Sequence, residues 1–432
     1  MAKPNPHSAL RTPHLKRLVP LLLDWFAANA RDLPWRRTRD PYAIWVSEIM
    51  LQQTQVRTVI PFWNRWMREL PTIEAAAKAS PAKIHKLWEG LGYYTRARNL
   101  QKAAQQIVNR RRDEFHESPF KNKVRDSQRS SLRFPEKFED VLVLPGIGRY
   151  TAGAICSIAF NQPTPILDGN VIRVLTRIFG IGGNPKEKET NARLWKLAEE
   201  LVKEANKGRD SALRCPDAAA RHPYHCSYFN QSLMELGALV CTPRNPQCRI
   251  CPVKKLCIAF QDDRVAELPN LGKRETATAR RFVAFVVENN GRFFIRQRPA
   301  GVVNAHLWEF PNVEVPLGAL ASRRRVANIF LVEFADGTPA LPSRFSLNAQ
   351  KLTPLCTIKH SITRYRITLE AFRVSLGGAS PHSEKKESGT RVTRPSGNIG
   401  VWKSPAQMQR LAFTAAHKKL ASLAVNRILS GP

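Results

Sequence analysis

Four cysteines fall within the short stretch "CTPRNPQCRICPVKKLC". Cys241, Cys248, Cys251 and Cys257 stand there in the spacing C-x6-C-x2-C-x5-C. Thiolates this close, with proline-rich turns between them, can converge on one centre with little chain entropy left to lose. Zinc is the competing metal, but it favours two CxxC knuckles and only one is present here. The spacing therefore predicts an iron–sulfur cluster closing the loop 241–257. Lys254 and Lys255 in the last spacer present positive charge to a partner. The other four cysteines, Cys156, Cys215, Cys226 and Cys356, show no ligand spacing and read as ordinary thiols. Eight cysteines among 432 residues argue for a metal or redox site and against a disulfide framework.

The partner that this loop would face is indicated by charge. Lys and Arg number 68 against 35 Asp and Glu, a net charge of +33. An excess of that size points to a polyanion, with counterion release supplying much of the affinity; a merely solubilising surface is the blander alternative. The early apolar run "LVPLLL" (Leu18 to Leu23) ends at Asp24 and is too short to span a bilayer, so no membrane partner is expected. No signal-peptide cleavage pattern follows it, which suggests an intracellular protein, with a bacterial cytoplasm or nucleoid as the expected place.

The length implies two or three domains. Residues 1–13 read as a disordered arm, and 14–260 as a helical domain. Within it, "IHKLWEGLGYYTRARNLQKAAQQIV" and "NARLWKLAEELVKEA" repeat apolar residues at helical spacing. The polar stretches Arg111 to Phe134 and Gly208 to Cys226 read as surface loops, and residues 261–275 as a linker. After the linker the period shortens. "RRFVAFVVENNGRFFIRQRP" reads as two strands joined by an Asn-Asn-Gly turn, "RYRITLEAFRVSL" alternates again, and the C-terminus returns to helix. Residues 276–432 are thus expected to form a separate α+β domain, with 382–397 as a mobile loop.

"LPGIGRYTAGA", Leu144 to Ala154, places Gly146 and Gly148 at the mouth of a helix. Glycines there let backbone N–H groups approach an oxyanion closely. A nucleotide cofactor, a nucleoside triphosphate and a nucleic-acid backbone remain candidates on this motif alone.

The helix-hairpin-helix glycine loop (about 140–156), then "ILDGNV", then the four-cysteine loop resemble the endonuclease III superfamily of DNA glycosylases. Within it, "WVSEIMLQQTQVRTVIPFWNRWM", "LWEGLGYYTRARNLQKAA" and "FNQSLMELGALVCT" are similar to the adenine DNA glycosylases of the MutY family. The resemblance is dense from Leu15 to about Phe260 and looser beyond. It implies a multidomain chain: an all-α, two-lobed helix-hairpin-helix domain with a 4Fe–4S cluster, followed by an α+β Nudix-like domain. The implied partner is double-stranded DNA carrying A:8-oxoguanine or A:G mispairs, bound by a monomer. On that reading the phosphate at Gly146 and Gly148 belongs to the DNA backbone, gripped without reference to sequence.

Cleaving an N-glycosidic bond needs an acid for a poor leaving group and an anion beside the cationic sugar. Glu48 lies in "YAIWVSEIML", an otherwise apolar helix, where burial would keep its carboxyl protonated. By resemblance it protonates adenine at N7 and then helps to activate water. Asp168 opens "DGNVIRVLTRIF" at a helix N-cap, where N–H bonds would keep it ionised; on the residues alone it is equally a plain cap. Asn170 resembles the family's supporting amide. Tyr150 stands where bifunctional relatives carry a Schiff-base lysine, so the enzyme should be monofunctional. A packing tyrosine is the alternative.

Extruding adenine leaves a gap to fill. By resemblance Gln53 and Tyr93 wedge into the stack, with Gln52 nearby, although core packing would also suit Tyr93. Arg96 and Arg98 read as phosphate contacts or as a solvated helix face. In the C-terminal domain "PLGALASRRRVANIF" has no acidic residue where a Nudix hydrolase holds magnesium, so a reader of 8-oxoguanine is expected rather than a pyrophosphohydrolase. The family's reading loop aligns with Ile358, Lys359 and His360, of which His360 matches, and Val302 stands where the family often has glycine. The rivals are an endonuclease III-like enzyme for oxidised pyrimidines, opposed by Tyr150, and a non-enzymatic iron–sulfur DNA-binding protein, opposed by Glu48 with Asp168.

Overall fold

The helical period of the first 260 residues becomes a run of helices in the computed structural model, which describes residues 12–117, 134–212, 225–272, 276–317, 326, 328, 352–362, 364–375 and 400–429. The chain divides into two units: Met1–Ala79 with Asn99–Arg274, and Ser80–Arg98 with Glu275–Pro432. Most of the N-terminal arm (1–11), the centres of the loops at 111–134 and 208–226, most of 318–351 and the loop 382–397 lie outside the described residues, and the last two residues of the arm belong to a helix.

In the first unit, α1 (Thr12–Asn29), α2 (Pro41–Leu51), α3 (Val56–Glu69) and α4 (Ile73–Lys78) are followed, after a segment belonging to the second unit, by the remaining helices. One apolar cluster gathers α1 with helices from the far end of the unit, through Leu18, Leu22, Val174, Leu194 and Phe229. A second is aromatic: Trp63 Nε1 donates to the Ala43 carbonyl at 3.0 Å, and Trp66 Nε1 donates to the Tyr42 hydroxyl at 2.9 Å. Helix α2 takes part in both, with Ile44 in the first cluster and Tyr42 bonded to Trp66. Every residue from Tyr42 to Met50 is buried. A helix apolar on all sides belongs in an interior, which is why this one carries its single acid out of water.

In the second unit, α5 (Pro81–Trp88) leads into a glycine turn and the start of α6 (Thr95–Glu117), whose residues from Asn99 onward return to the first unit. By their contacts residues 80–98, expected within the helical domain 14–260, group with the second unit. Helical periodicity reports that a face is buried and not what buries it. Continuing, the first unit adds α7 (Phe138–Leu142), α8 (Arg149–Phe160), α9 (Gly169–Ile178), α10 (Lys188–Ala212), α11 (His225–Leu239) and α12 (Ile258–Gln261). Helix α6 runs to Glu117, and α10 and α11 extend into the stretch from Gly208, so both expected loops are shorter than the sequence implied. The expected linker is also partly packed: Leu268 is buried with Cys257 and Ala259.

The sheet of the second unit comprises β1 (Thr278–Asn289), β2 (Arg292–Gln297), β3 (Trp308–Glu309), β4 (Asn312–Val315), β5 (Leu352–Ile362), β6 (Tyr365–Ser375) and β7 (Val401–Lys403), flanked by α13 (Pro405–Gln409) and α14 (Ala415–Leu429). Its order is β3-β2-β1-β6-β5, with β4 also on β1 and β7 on β2. β1 and β6 run parallel, so the sheet is mixed. The β1–β2 hairpin turns at Asn290 and Gly291 with φ 49° and 71°, the left-handed pair a tight hairpin requires. Alternate residues of β1 enter cores on opposite faces: Val283, Phe285 and Val287 on one, Ala284 and Val286 on the other. The chain is thus multidomain, a helical unit followed by an α+β unit. Among the described residues, no helix is long and apolar enough to cross a membrane.

Candidate active site

Glu48 is 5% exposed on α2. Helix α2 starts cleanly because Pro41 is its first residue and the Asp40 side chain accepts from Tyr42 N at 3.0 Å. Burial raises the Glu48 carboxyl from 4.5 to about 7; a hydrogen bond from Tyr150 and the cation of Arg36 pull against this, and the charge of Asp168 adds to it. Tyr150, in the first turn of α8, donates its hydroxyl to Glu48 Oε2 at 2.8 Å and lies 3.3 Å from the Met234 sulfur. Burial, with both carboxylates nearby, pushes the phenol well above its usual range, so it remains a donor.

Asp168 caps α9 as its position suggested. Its Oδ1 accepts from Val171 N at 2.7 Å and its Oδ2 from Asn170 Nδ2 at 3.1 Å. Burial carries the carboxyl above the usual range, outweighing the N–H groups and the Arg173 charge that draw it down. Arg173 continues the arrangement, donating to Asn170 Oδ1 at 2.8 Å, the Gly237 carbonyl at 2.7 Å and the Cys241 carbonyl at 2.7 Å. The close approach of α11 here needs glycine, because a Cβ on Gly237 would fall 2.7 Å from Asn170 Cβ. Glu48, Tyr150, Asp168 and Asn170 thus form one group around the buried Glu48, the other three being partly buried, in which a carboxyl poised near neutrality can donate a proton.

One residue that sequence reasoning passed over adjoins this group. Glu235 is buried on α11 beside Met234, and accepts from Arg31 at 2.7 and 2.8 Å and from Arg36 at 3.0 Å through both carboxylate oxygens. Burial alone would raise its carboxyl, but the two guanidinium groups hold it at about 2. The signal was available: Glu235 is an acid within the apolar run "SLMELGAL", the same clue that singled out Glu48.

The hairpin between α7 and α8 turns at Gly146, with φ 79°; a Cβ there would also meet Asn99 Cβ at 2.7 Å. Gly148, the residue before α8, has open space around its Cα and is exposed. Gln52 follows α2 and donates to Thr151 Oγ1 at 3.4 Å, and Gln53 is exposed at φ 56°. In the other unit, Tyr93 is 42% exposed with φ 47°. Arg96 folds back onto its own turn: Nη2 donates to the carbonyls of Leu91 at 3.1 Å and Gly92 at 3.3 Å, and the guanidinium lies 5.5 Å from the rings of both Trp88 and Tyr93. Arg98 donates to the Ala305 carbonyl at 3.2 Å rather than standing free. Ile358, Lys359 and His360 lie within strand β5, paired with Leu369, Thr368 and Ile367, and not in a loop; the alternating pattern that continues into β6 carries the pairing through them. His360 is half-buried, and burial lowers its basicity.

Cys241, Cys248, Cys251 and Cys257 line one cavity with Val174, Ile178, Leu236 and Val253. Arg177 Nη1 donates to Cys241 Sγ at 3.4 Å, which suits a sulfur carrying negative charge. Burial raises the Cys251 thiol to about 12. Among the described residues no three His, Cys, Asp or Glu side chains are grouped so as to hold a single metal ion. The donor set fits a group larger than one ion: four sulfurs around an apolar cavity, with a guanidinium on one of them.

Residues 46–200 match the HhH-GPD superfamily of base excision DNA repair proteins, and residues 283–423 match the NUDIX domain. The chain is 33% identical to the adenine DNA glycosylase of Rattus norvegicus over 92% of its own length and 76% of the relative's. It is 32% identical to the human adenine DNA glycosylase, over 92% of this chain and 72% of that one. It is 35% identical to that of Buchnera aphidicola from Schizaphis graminum, over 69% of this chain and 75% of that one.

Proposed function

The chain belongs to the adenine DNA glycosylases, base excision repair enzymes with DNA as partner, and on that premise we propose a monofunctional enzyme, acting as a monomer, that removes adenine opposite 8-oxoguanine or guanine. The observation that carries the mechanism is the buried Glu48 carboxyl, near half protonation at neutral pH and hydrogen-bonded by Tyr150. Glu48 delivers its proton to N7 of the extruded adenine and then assists the attacking water. Asp168, with two N–H donors and Arg173 behind it, is the carboxylate that faces the developing sugar cation, and Asn170 holds it in place. Tyr150 offers no amine to the sugar, so the reaction ends at hydrolysis.

Gly146 and Gly148 present backbone N–H groups to the DNA phosphates. Gln53 and Tyr93 fill the gap left by the adenine, with Gln52 beside it; their left-handed backbones project each side chain from a turn. A 4Fe–4S cluster held by Cys241, Cys248, Cys251 and Cys257 would fix the loop 241–257 and its lysines against DNA. The second unit reads the lesion from the β5 strand, where Lys359 and His360 lie. Duplexes with adenine opposite 8-oxoguanine, guanine, cytosine and thymine test the whole reading. Fast excision opposite the first two is expected, with strand breaks only after alkali; efficient borohydride trapping at neutral pH, or equal rates on all four, contradicts it.

A further inference from the structure

The turn bearing Tyr93 is built on the second unit, although the sequence around it runs through helices. Gly90 and Gly92 take φ 116° and 70°, and between them and Arg96 the turn is tied by Trp88 Nε1 donating to the Gly92 carbonyl at 3.0 Å. Tyr93 itself is exposed, with the Arg96 guanidinium beside its ring, and its left-handed backbone depends on the turn that carries it.

Immediately before the turn, Glu89 is 6% exposed and fully engaged. Its Oε1 accepts from Phe413 N at 3.0 Å, and its Oε2 accepts from Lys86 Nζ at 2.8 Å and Lys418 Nζ at 2.9 Å. Lys86 also donates to the Leu411 carbonyl at 3.0 Å. Burial would raise the Glu89 carboxyl, and the lysines with the Phe413 N–H hold it below the usual range. On the other side of the turn, the buried Tyr94 hydroxyl accepts from Gly90 N at 3.3 Å and donates to the Phe413 carbonyl at 3.5 Å. Both backbone groups of Phe413 are therefore bound to the two ends of the Gly90–Tyr93 turn. Phe413 sits in the core of the sheet face covered by α14, and its neighbours Ala412 and Thr414 bond to the Trp308 backbone on β3.

We propose that Glu89 is a positioning residue through which the C-terminal unit aims Tyr93, so that the unit reading the opposite base also sets the wedge that keeps adenine extruded. This rests on the reading of Tyr93 as the wedge. A carboxylate suits the task better than an apolar contact, because three converging donors fix its direction and the glycines that follow supply no stiffness of their own.

The test uses the full-length protein, as Glu89→Ala, Glu89→Gln, Tyr93→Ala and the Glu89→Ala/Tyr93→Ala double variant. Two readouts are taken on adenine opposite 8-oxoguanine: single-turnover excision, and fluorescence of a 2-aminopurine placed beside the adenine, which rises on unstacking. Glu89→Ala is expected to slow excision by about tenfold to a hundredfold, the range for a misaligned positioning group. Its unstacking signal should fall alongside. Glu89→Gln, which can still accept from Phe413 N, should recover part of the loss, and the double variant should be no slower than the slower single. If Tyr93→Ala loses unstacking and Glu89→Ala does not, the positioning role is refuted and the wedge stands. Losses that multiply in the double variant also refute it, since Glu89 then acts elsewhere. If neither variant changes unstacking, the wedge reading itself fails. Should Glu89→Ala not fold, Lys418→Ala decides: its half-exposed ammonium supplies one of the three donors, and a loss of roughly threefold in the same signal is expected. Unchanged unstacking in that variant overturns the proposal.

Discussion

Replacing Glu48 by Gln should abolish excision and stabilise the protein, and the stabilisation should depend on pH in a set way. The folded-state carboxyl titrates near 7 and its ordinary value is 4.5. Below 4.5 the group is protonated whether the chain is folded or not, so it contributes no pH-dependent difference. Between 4.5 and 7 the folded protein holds a proton that the unfolded chain has lost, and stability falls as pH rises. Above 7 the full penalty persists: about 2.5 units at 1.36 kcal/mol each, or about 3 kcal/mol. Glutamine is neutral, has nearly the same shape and can still accept from Tyr150. Relative to wild type, Glu48→Gln should therefore gain little at pH 4.5 and about 3 kcal/mol at pH 8, roughly 6 to 12 °C in the melting transition of a unit this size. Paired thermal melts across this range are the assay. A constant offset between the proteins would mean that packing, and not ionisation, separates them; no gain at pH 8 would mean that Glu48 is not held protonated. Wild-type excision should decline as pH rises through about 7.

The hydrogen bond from Tyr150 lowers the Glu48 pKa, so Tyr150→Phe should move the alkaline limb of the excision profile to higher pH; a limb that stays in place refutes that coupling. Glu235→Ala should move it the opposite way, since Arg36 loses its counter-charge. It should also cost about 3–5 kcal/mol of stability in urea, the usual penalty for a buried ion pair deprived of one partner. Cys251→Ala should lower bound iron in purified protein and expose the loop 241–257 to protease, whereas full iron content would exclude Cys251 as a ligand.

How much of this was legible in the sequence depended on how local the cause was. The Asn290-Gly291 hairpin turn, the Asp168 cap and the left-handed Gly146 are set by residues within a few positions, and each stands where the pattern put it. The Glu48 environment was legible too, because eight neighbouring residues of one helix are buried with it. What was not legible was long-range. The pull of burial against the N–H bonds at Asp168 is a balance no motif encodes. The strand pairing of Ile358 to His360 is fixed by β6, and the packing of residues 80–98 by backbone groups more than three hundred residues away.

That last contact changes how the C-terminal unit has to be tested. Deleting residues 276–432 is the direct way to ask whether they read the lesion. Yet the deletion would also remove Phe413 and Lys418, leaving Glu89 and Tyr94 buried against nothing, and the turn bearing Tyr93 would lose its support. Lost preference in such a fragment would be shared between the lesion contact and the wedge. His360→Ala in the full chain separates them. His360 lies on β5, paired with Ile367, and the bonds described above from Glu89 and Tyr94 run to Phe413, Lys86, Lys418 and Gly90 rather than to it. A well-made polar contact to a base is worth about 1–3 kcal/mol of discrimination. Removing it should therefore erode the ratio of excision from A:8-oxoguanine over A:G by roughly tenfold, with the 2-aminopurine unstacking signal unchanged. A preserved ratio would transfer lesion reading away from this strand to Gln53 and Tyr93.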